Sequence, residues 1–218
     1  MSQHTLTLLR FTYKKLKEKL TVSDSKKLFH EQFPYVIPGL YKRIVDEMLV
    51  ELNLLHHQIE FKQDYLFCVG LTETFKELTK GYQPEKHLSL LFEALCYSTN
   101  FKAKEIKEIS KESQNEFKDQ SSNDLIKLLQ EKSNSKPYPS RILNLGIYTL
   151  ISNSQDFKAE KESKMSQIIS DIFEKLNLST NKAEKDIGIY KSTISKMEQA
   201  KELIEELKIK DKKKDKKQ

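Results

Sequence analysis

A chain of 218 residues, 37% hydrophobic and 32% charged, is long enough for a real core, since domains of this size bury roughly 70% of their unfolded surface. Five glycines, five prolines and no tryptophan argue against a turn-rich β-sandwich or propeller. The two cysteines, Cys68 and Cys96, exclude a disulfide scaffold or a cysteine-built zinc site and favour a reducing compartment. The net charge of +6 sits at the ends, because residues 1–20 carry +4, residues 207–218 carry +5, and the stretch between carries −3. Nucleic-acid recognition wants its charge on a folded face, and only Arg10, Arg43 and Arg141 supply the forked donors that grip phosphates or guanine edges. No nucleic-acid partner is therefore expected, and a nucleic-acid-binding helical protein working through its basic termini remains the alternative reading.

In chain order, segment 5–20 puts Leu9, Tyr13, Leu16 and Leu20 on one helix face and Arg10, Lys14 and Lys17 on another. That is the layout of a surface-seeking amphipathic helix, capable of weak, reversible contact with a bilayer. An ordinary helix docked on the core, or a start codon assigned too early, explains it as well and is preferred. From Pro38, a good first helical residue, apolar positions fall at Leu40, Tyr41, Ile44, Val45, Met48, Leu49, Leu52 and Leu55. A second helix is predicted from about Gln63 to Lys80, stopped by Gly81 in a left-handed conformation. Pro84 opens the next, whose core face is Leu88, Leu91, Phe92 and Leu95. Residues 103–118 make a highly charged helix on Ile106, Ile109 and Phe117, and Ser121 with Asp124 reads as a capping box before Leu125, Leu128 and Leu129.

Residues 133–140, rich in serine with Pro137 and Pro139, form the best linker and a possible subdivision of the chain. The longest uncharged stretch, Ile142–Gln155, is too short and too polar to cross a membrane and reads as a buried core helix. Gly146 inside it costs about 1 kcal/mol against alanine and marks a close helix–helix approach. An amphipathic helix follows on Met165, Ile168, Ile169, Ile172, Phe173 and Leu176. Asn181 with Glu184 is expected to cap a last helix of up to about thirty residues, whose seam runs Ile187, Tyr190, Ile194, Met197, then Lys201, Ile204 and Leu207. Two good heptads leave open whether this helix protrudes as a coiled coil or packs on its own domain. The lysine-rich residues 208–218 are expected to be disordered.

Reactive constellations are scarce. Among His4, His30, His56, His57 and His87 there is neither H-E-x-x-H nor the E-x-x-H of helical di-iron bundles, and His56 and His57 project about 100° apart. Capping of a helix C-terminus is the ordinary role for such a histidine. Cys68 and Cys96 lie in apolar helices without a nearby histidine and read as inert buried thiols. The five glycines are isolated, so no phosphate loop can be assembled, and no G-x-S-x-G elbow occurs. Asp46, Glu47 and Glu51 near Lys42 and Arg43 are explained by a solvated charged face. A hydrolase with unrecognised carboxylates would need a deep polar pocket of perturbed titratable groups.

The stretch TVSDSKKLFHEQFPYVIPGLYKRIVDEMLVELNLL, residues 21–55, resembles the thylakoid formation family, the photosystem II biogenesis proteins of cyanobacteria and plastids. Four further blocks match in the same order: residues 64–87, 90–96, 140–151 and 184–200. The resemblance covers residues 21–207 and leaves 1–20 as a basic extension without counterpart. It implies an all-α, multi-helix domain with a long C-terminal helix, acting without enzymatic activity in thylakoid membrane organisation and photosystem II assembly or repair. It further implies a peripheral position on the cytoplasmic side of thylakoids and association with FtsH-type membrane proteases and photosystem II assembly components. It carries no catalytic, cofactor-binding or metal-binding residue and no cofactor. Polar motif positions that packing does not explain become the candidate partner surface: Ser23, Asp24, Lys26, Lys42, Arg43, Asp46 and Glu47, then Lys185, Asp186, Tyr190 and Lys191. For each of them a cap or a solvated face is the preferred reading. Asn144 stands where the family usually has an apolar residue, giving that core helix a more polar face.

Overall fold

The computed structural model describes residues 20–118, 120–132, 137–154 and 162–215. Every regular element among them is helical, as expected. They fall into two compact units, one of residues 20–61 with 81–106, the other of residues 62–80 with the described residues from 107 onward. The N-terminal segment 1–19 and the first half of the linker expected at 133–140, residues 133–136, lie outside the described residues.

The first unit contains α1 (Val22–Gln32), α2 (Gly39–His56), a short 3-10 turn (Glu85–His87), α4 (Leu88–Ser98) and the first turn of α5 (Ala103–Phe117). Helix α1 starts where Thr21 and Asp24 form a reciprocal capping box, the Thr21 hydroxyl accepting from the Asp24 backbone N–H at 3.2 Å. Helix α2 is entered from Pro38 and buries Tyr41, Ile44, Val45, Met48, Leu49, Leu52 and Leu55, the periodic positions expected apart from Leu40. It ends as His57 Nδ1 meets the Asn53 carbonyl at 2.6 Å, the histidine cap that sequence suggests. The buried Asn53 amide donates to the Leu20 carbonyl at 2.9 Å and to Ser25 Oγ at 2.8 Å, which ties the start of α1 to α2. Helix α4 packs on both α1 and α2 through Leu91, Phe92 and Leu95.

The second unit contains α3 (Tyr65–Leu78), the rest of α5, α6 (Ser122–Lys132), α7 (Arg141–Ser152), α8 (Glu162–Lys175) and α9 (Thr180–Asp215). Asp64 caps α3 through Phe67 N–H at 2.8 Å, and burial raises its carboxyl above the ordinary range even as the Phe67 and Leu66 amides hold it down. The helix stops earlier than expected because Thr79 folds its hydroxyl onto the Phe75 carbonyl at 2.7 Å, and Gly81 then takes φ 83°. Helix α6 begins at the expected Ser121–Asp124 cap, where the two side chains meet at 2.7 Å.

The most intimate contact of this unit is α3 against α7. A Cβ built on Gly70 would lie 1.9 Å from the Ile142 carbonyl oxygen, and one on Gly146 would lie 2.0 Å from that of Leu66. Two glycines therefore let the backbones touch, which is the close approach that Gly146 signals. Around this crossing Leu66, Val69, Leu143, Ile147, Leu150, Ile172, Phe173 and Ile187 form a core between 0% and 5% exposed.

Helix α9 differs from expectation at both ends. Its cap is Ser179, which accepts from Lys182 N–H at 3.4 Å, not Asn181. Its helical backbone continues to Asp215, where a disordered tail is expected from residue 208. Lysine is a good helix former and the run contains no glycine or proline to end it. Its seam is buried at Ile187 and Met197, part-buried at Tyr190, Ile194 and Lys201, then open at Ile204 and Leu207.

Candidate functional site

The candidate surface residues separate into two sets, one in each unit. In the second unit α9 carries Lys185, Asp186, Tyr190 and Lys191, and three of these four are engaged within the unit. Asp186 accepts from the Asn144 amide at 2.8 Å, so the polar residue on the core face of α7, itself 3% exposed, is satisfied rather than stranded. Tyr190 packs edge-on to Tyr148 at 6.5 Å, and its hydroxyl is pushed well above the ordinary range by burial, reinforced by Glu77, Tyr148 and Glu73. Lys191 lies over the Tyr148 ring, its Nζ 5.5 Å from the centroid. Lys185 is exposed.

In the first unit Asp24 belongs to the α1 capping box and Ser23 is exposed on the same turn. Arg43 donates to Glu47 at 2.8 Å, one helical turn along α2. Lys26 on α1 and Asp46 on α2 are 3.6 Å apart and bridge the two helices. Lys42 has no ion-pair partner among the described residues, and it stands beside a groove.

The groove is a concavity of 380 Å³ between α1, the Pro34–Pro38 connection and the first turns of α2. Its lining includes Phe29, Phe33, Tyr35, Ile37 and Val45, with His30, Lys42 and Asp46 as the polar members. Local sequence builds it directly. Phe29 and Phe33, four residues apart, share one face at the end of α1 and stack at 6.0 Å. Pro34 and Pro38 hold the ends of the apolar run Tyr35–Val36–Ile37 out of helix. Tyr35 is pinned by stacking on His87 at 4.0 Å, and Phe33 meets both rings edge-on. Val36 projects from the lip at 92% exposure.

Two of the sequence-derived candidates, Lys42 and Asp46, thus meet at a real concavity. Its aromatic wall escaped the sequence reading. The signal available was the segment FPYVIP, three apolar residues between two prolines with no helical period to bury them. Among the described residues no group of three or more His, Cys, Asp or Glu side chains is arranged to hold a metal ion. Nor does any described helix have the length and apolarity to cross a membrane.

Fold and groove define the chain first as an all-helical protein with an apolar surface concavity. A family model for thylakoid formation proteins matches residues 21–218. The chain is 81% identical over 199 residues to Protein Thf1 of Prochlorococcus marinus strain MIT 9312, covering 91% of this chain and 99% of that one. It is 71% identical to Protein Thf1 of Prochlorococcus marinus subsp. pastoris, covering 93% and 100%. Its fold is similar to a solved structure of Psb29, with TM-score 0.78 and 25% identity over 91% of this chain and 100% of that one. The chain belongs to the thylakoid formation protein family, whose role lies in thylakoid formation and photosystem II biogenesis.

Proposed function

We propose that this chain is a non-enzymatic assembly factor for photosynthetic membranes. It works peripherally on the cytoplasmic side of the thylakoid, in the biogenesis and repair of photosystem II, through association with an FtsH-type membrane protease and photosystem II assembly components. The observation that carries the reading is the family match across residues 21–218. Two features of the molecule support it. The groove between α1 and α2 is walled chiefly by apolar and aromatic side chains, the composition found at the core of protein interfaces. The described helices are too polar or too short to span a bilayer, in keeping with a peripheral position.

Affinity purification of the tagged full chain from thylakoid extracts tests this. Enrichment of FtsH-type protease subunits or photosystem II components over an untagged control is the expected result. Absence of both from the eluate overturns the partner assignment.

A further inference from the structure

We infer that the groove between α1 and α2 is a docking site for an acidic peptide segment that inserts one bulky apolar side chain. This rests on the reading of the chain as a partner-binding factor and names the chemistry of what that factor grips.

The shape asks for an apolar anchor. A concavity of 380 Å³ lies within the range of formed ligand sites, roughly 300–1,000 Å³. Its deep wall is already ordered, with Phe33 1% and Phe29 2% exposed, Tyr35 stacked on His87, and a proline at each end of the connecting segment. An incoming leucine or phenylalanine would meet a surface that pays little ordering entropy on binding. Val36, exposed at 92%, and Tyr35, exposed at 46%, extend that apolar surface beyond the groove.

The charge decides the occupant. Lys26 and Asp46 satisfy one another at 3.6 Å, and Arg43 and Glu47 do the same at 2.8 Å. What remains at the rim is the Lys42 ammonium, with no ion-pair partner among the described residues. A carboxylate next to the inserted apolar side chain completes the set. The chain's own N-terminal segment, five basic residues to one acid over residues 1–20, has the wrong sign for Lys42. An anionic bilayer is also a poor match. The surface is concave, and once Lys26 pairs with Asp46 and Arg43 with Glu47, Lys42 is a single uncompensated charge where bilayer attraction draws on clusters of several.

The test uses the full chain and a labelled peptide carrying a phenylalanine flanked by glutamates. Companion peptides replace the glutamates with lysines, or the phenylalanine with serine, and phosphatidylglycerol vesicles serve as the lipid arm. Saturable binding of the glutamate peptide is expected, with amide shifts concentrated at Tyr35, Val36 and Lys42. The serine peptide is expected to bind at least about tenfold more weakly. Lys42→Glu should weaken the glutamate peptide about fivefold and favour the lysine peptide instead, the size of one exposed ion pair. Lys27→Glu makes the same charge change on an exposed part of α1 that does not line the groove, and should leave both peptides unaffected. Equal binding of the two charged peptides, shifts confined to other surfaces, or binding to vesicles alone each overturns the inference. A positive purification from thylakoids with no groove binding removes this inference and leaves the family role standing. Groove binding with an empty purification does the reverse.

Discussion

The polar residues of α9 and those of α2 look alike in sequence and behave differently in the folded chain. On α9, Asp186 is taken by Asn144, Tyr190 is packed beside Tyr148, and Lys191 covers the same ring. On α2, Asp46 and Glu47 are paired, yet Lys42 is left over at the edge of an apolar groove. The difference shows how to separate a stabilising polar row from a recognising one. Bonding capacity already spent within the chain supports the fold, and unspent capacity beside an apolar concavity is available to a partner.

The largest effect that would sharpen this contrast lies under α9. Gly146→Ala drives a methyl into the Leu66 carbonyl and should lower stability by about 3 kcal/mol or more. Gly188→Ala, on α9 with nothing within 4 Å of its Cβ position, should instead raise stability by up to about 1 kcal/mol. Denaturant midpoints of the two variants check the pair, and a neutral Gly146→Ala would mean that α3 and α7 are not in backbone contact.

Next in size is the α9 polar row. Asp186→Ala leaves the buried Asn144 amide without its acceptor and should cost about 1–3 kcal/mol. Adding Asn144→Leu to Asp186→Ala should recover most of that loss, since both polar partners are then gone. Lys42→Glu, measured in the same way, should stay within about 0.5 kcal/mol of the parent because the side chain is exposed. Equal losses at Asp186 and Lys42 would erase the distinction between the two surfaces. Lys191→Gln comes lower, with a loss of about 0.5–1 kcal/mol from the contact over Tyr148.

The smallest expected effect is a pH dependence in the first unit. Burial and then the neighbouring His57 hold the His56 imidazole below its ordinary 6.5. The unfolded chain therefore takes up this proton first, and stability should decline as the pH drops through about 6.5. His56→Gln should flatten that decline in pH-resolved thermal melts. An unchanged slope would assign it to another group.

Much of the fold was legible in the residues. Leucine and isoleucine spacing marks nearly every helix from α2 onward, Ser121 with Asp124 gives the cap spacing, and Gly146 announces a crossing, whereas the Thr21–Asp24 cap that opens α1 emerges only from the structure. What was hidden depends on partners far along the chain. Gly146 needs Gly70, Asn144 needs Asp186 forty-two residues away, and Tyr35 needs His87. The α9 cap was misread because Asn181 and Ser179 are both competent caps, and local pattern does not choose between them. The groove was invisible for a related reason: Phe29 and Phe33 read as ordinary core, and only their position beside a proline-bounded loop turns them into a wall. Lys42 could be named as a candidate, but its lack of a partner is a property of the folded rim.

Site-specific photocrosslinking in intact cells tests most directly where recognition takes place. A crosslinker at Val36 is expected to capture a photosystem II biogenesis component or an FtsH-type protease subunit, and Lys42→Glu should reduce that product by up to about fivefold. One at Lys185 should yield little. Strong products from Lys185 with none from Val36 would contradict the assignment of recognition to the groove.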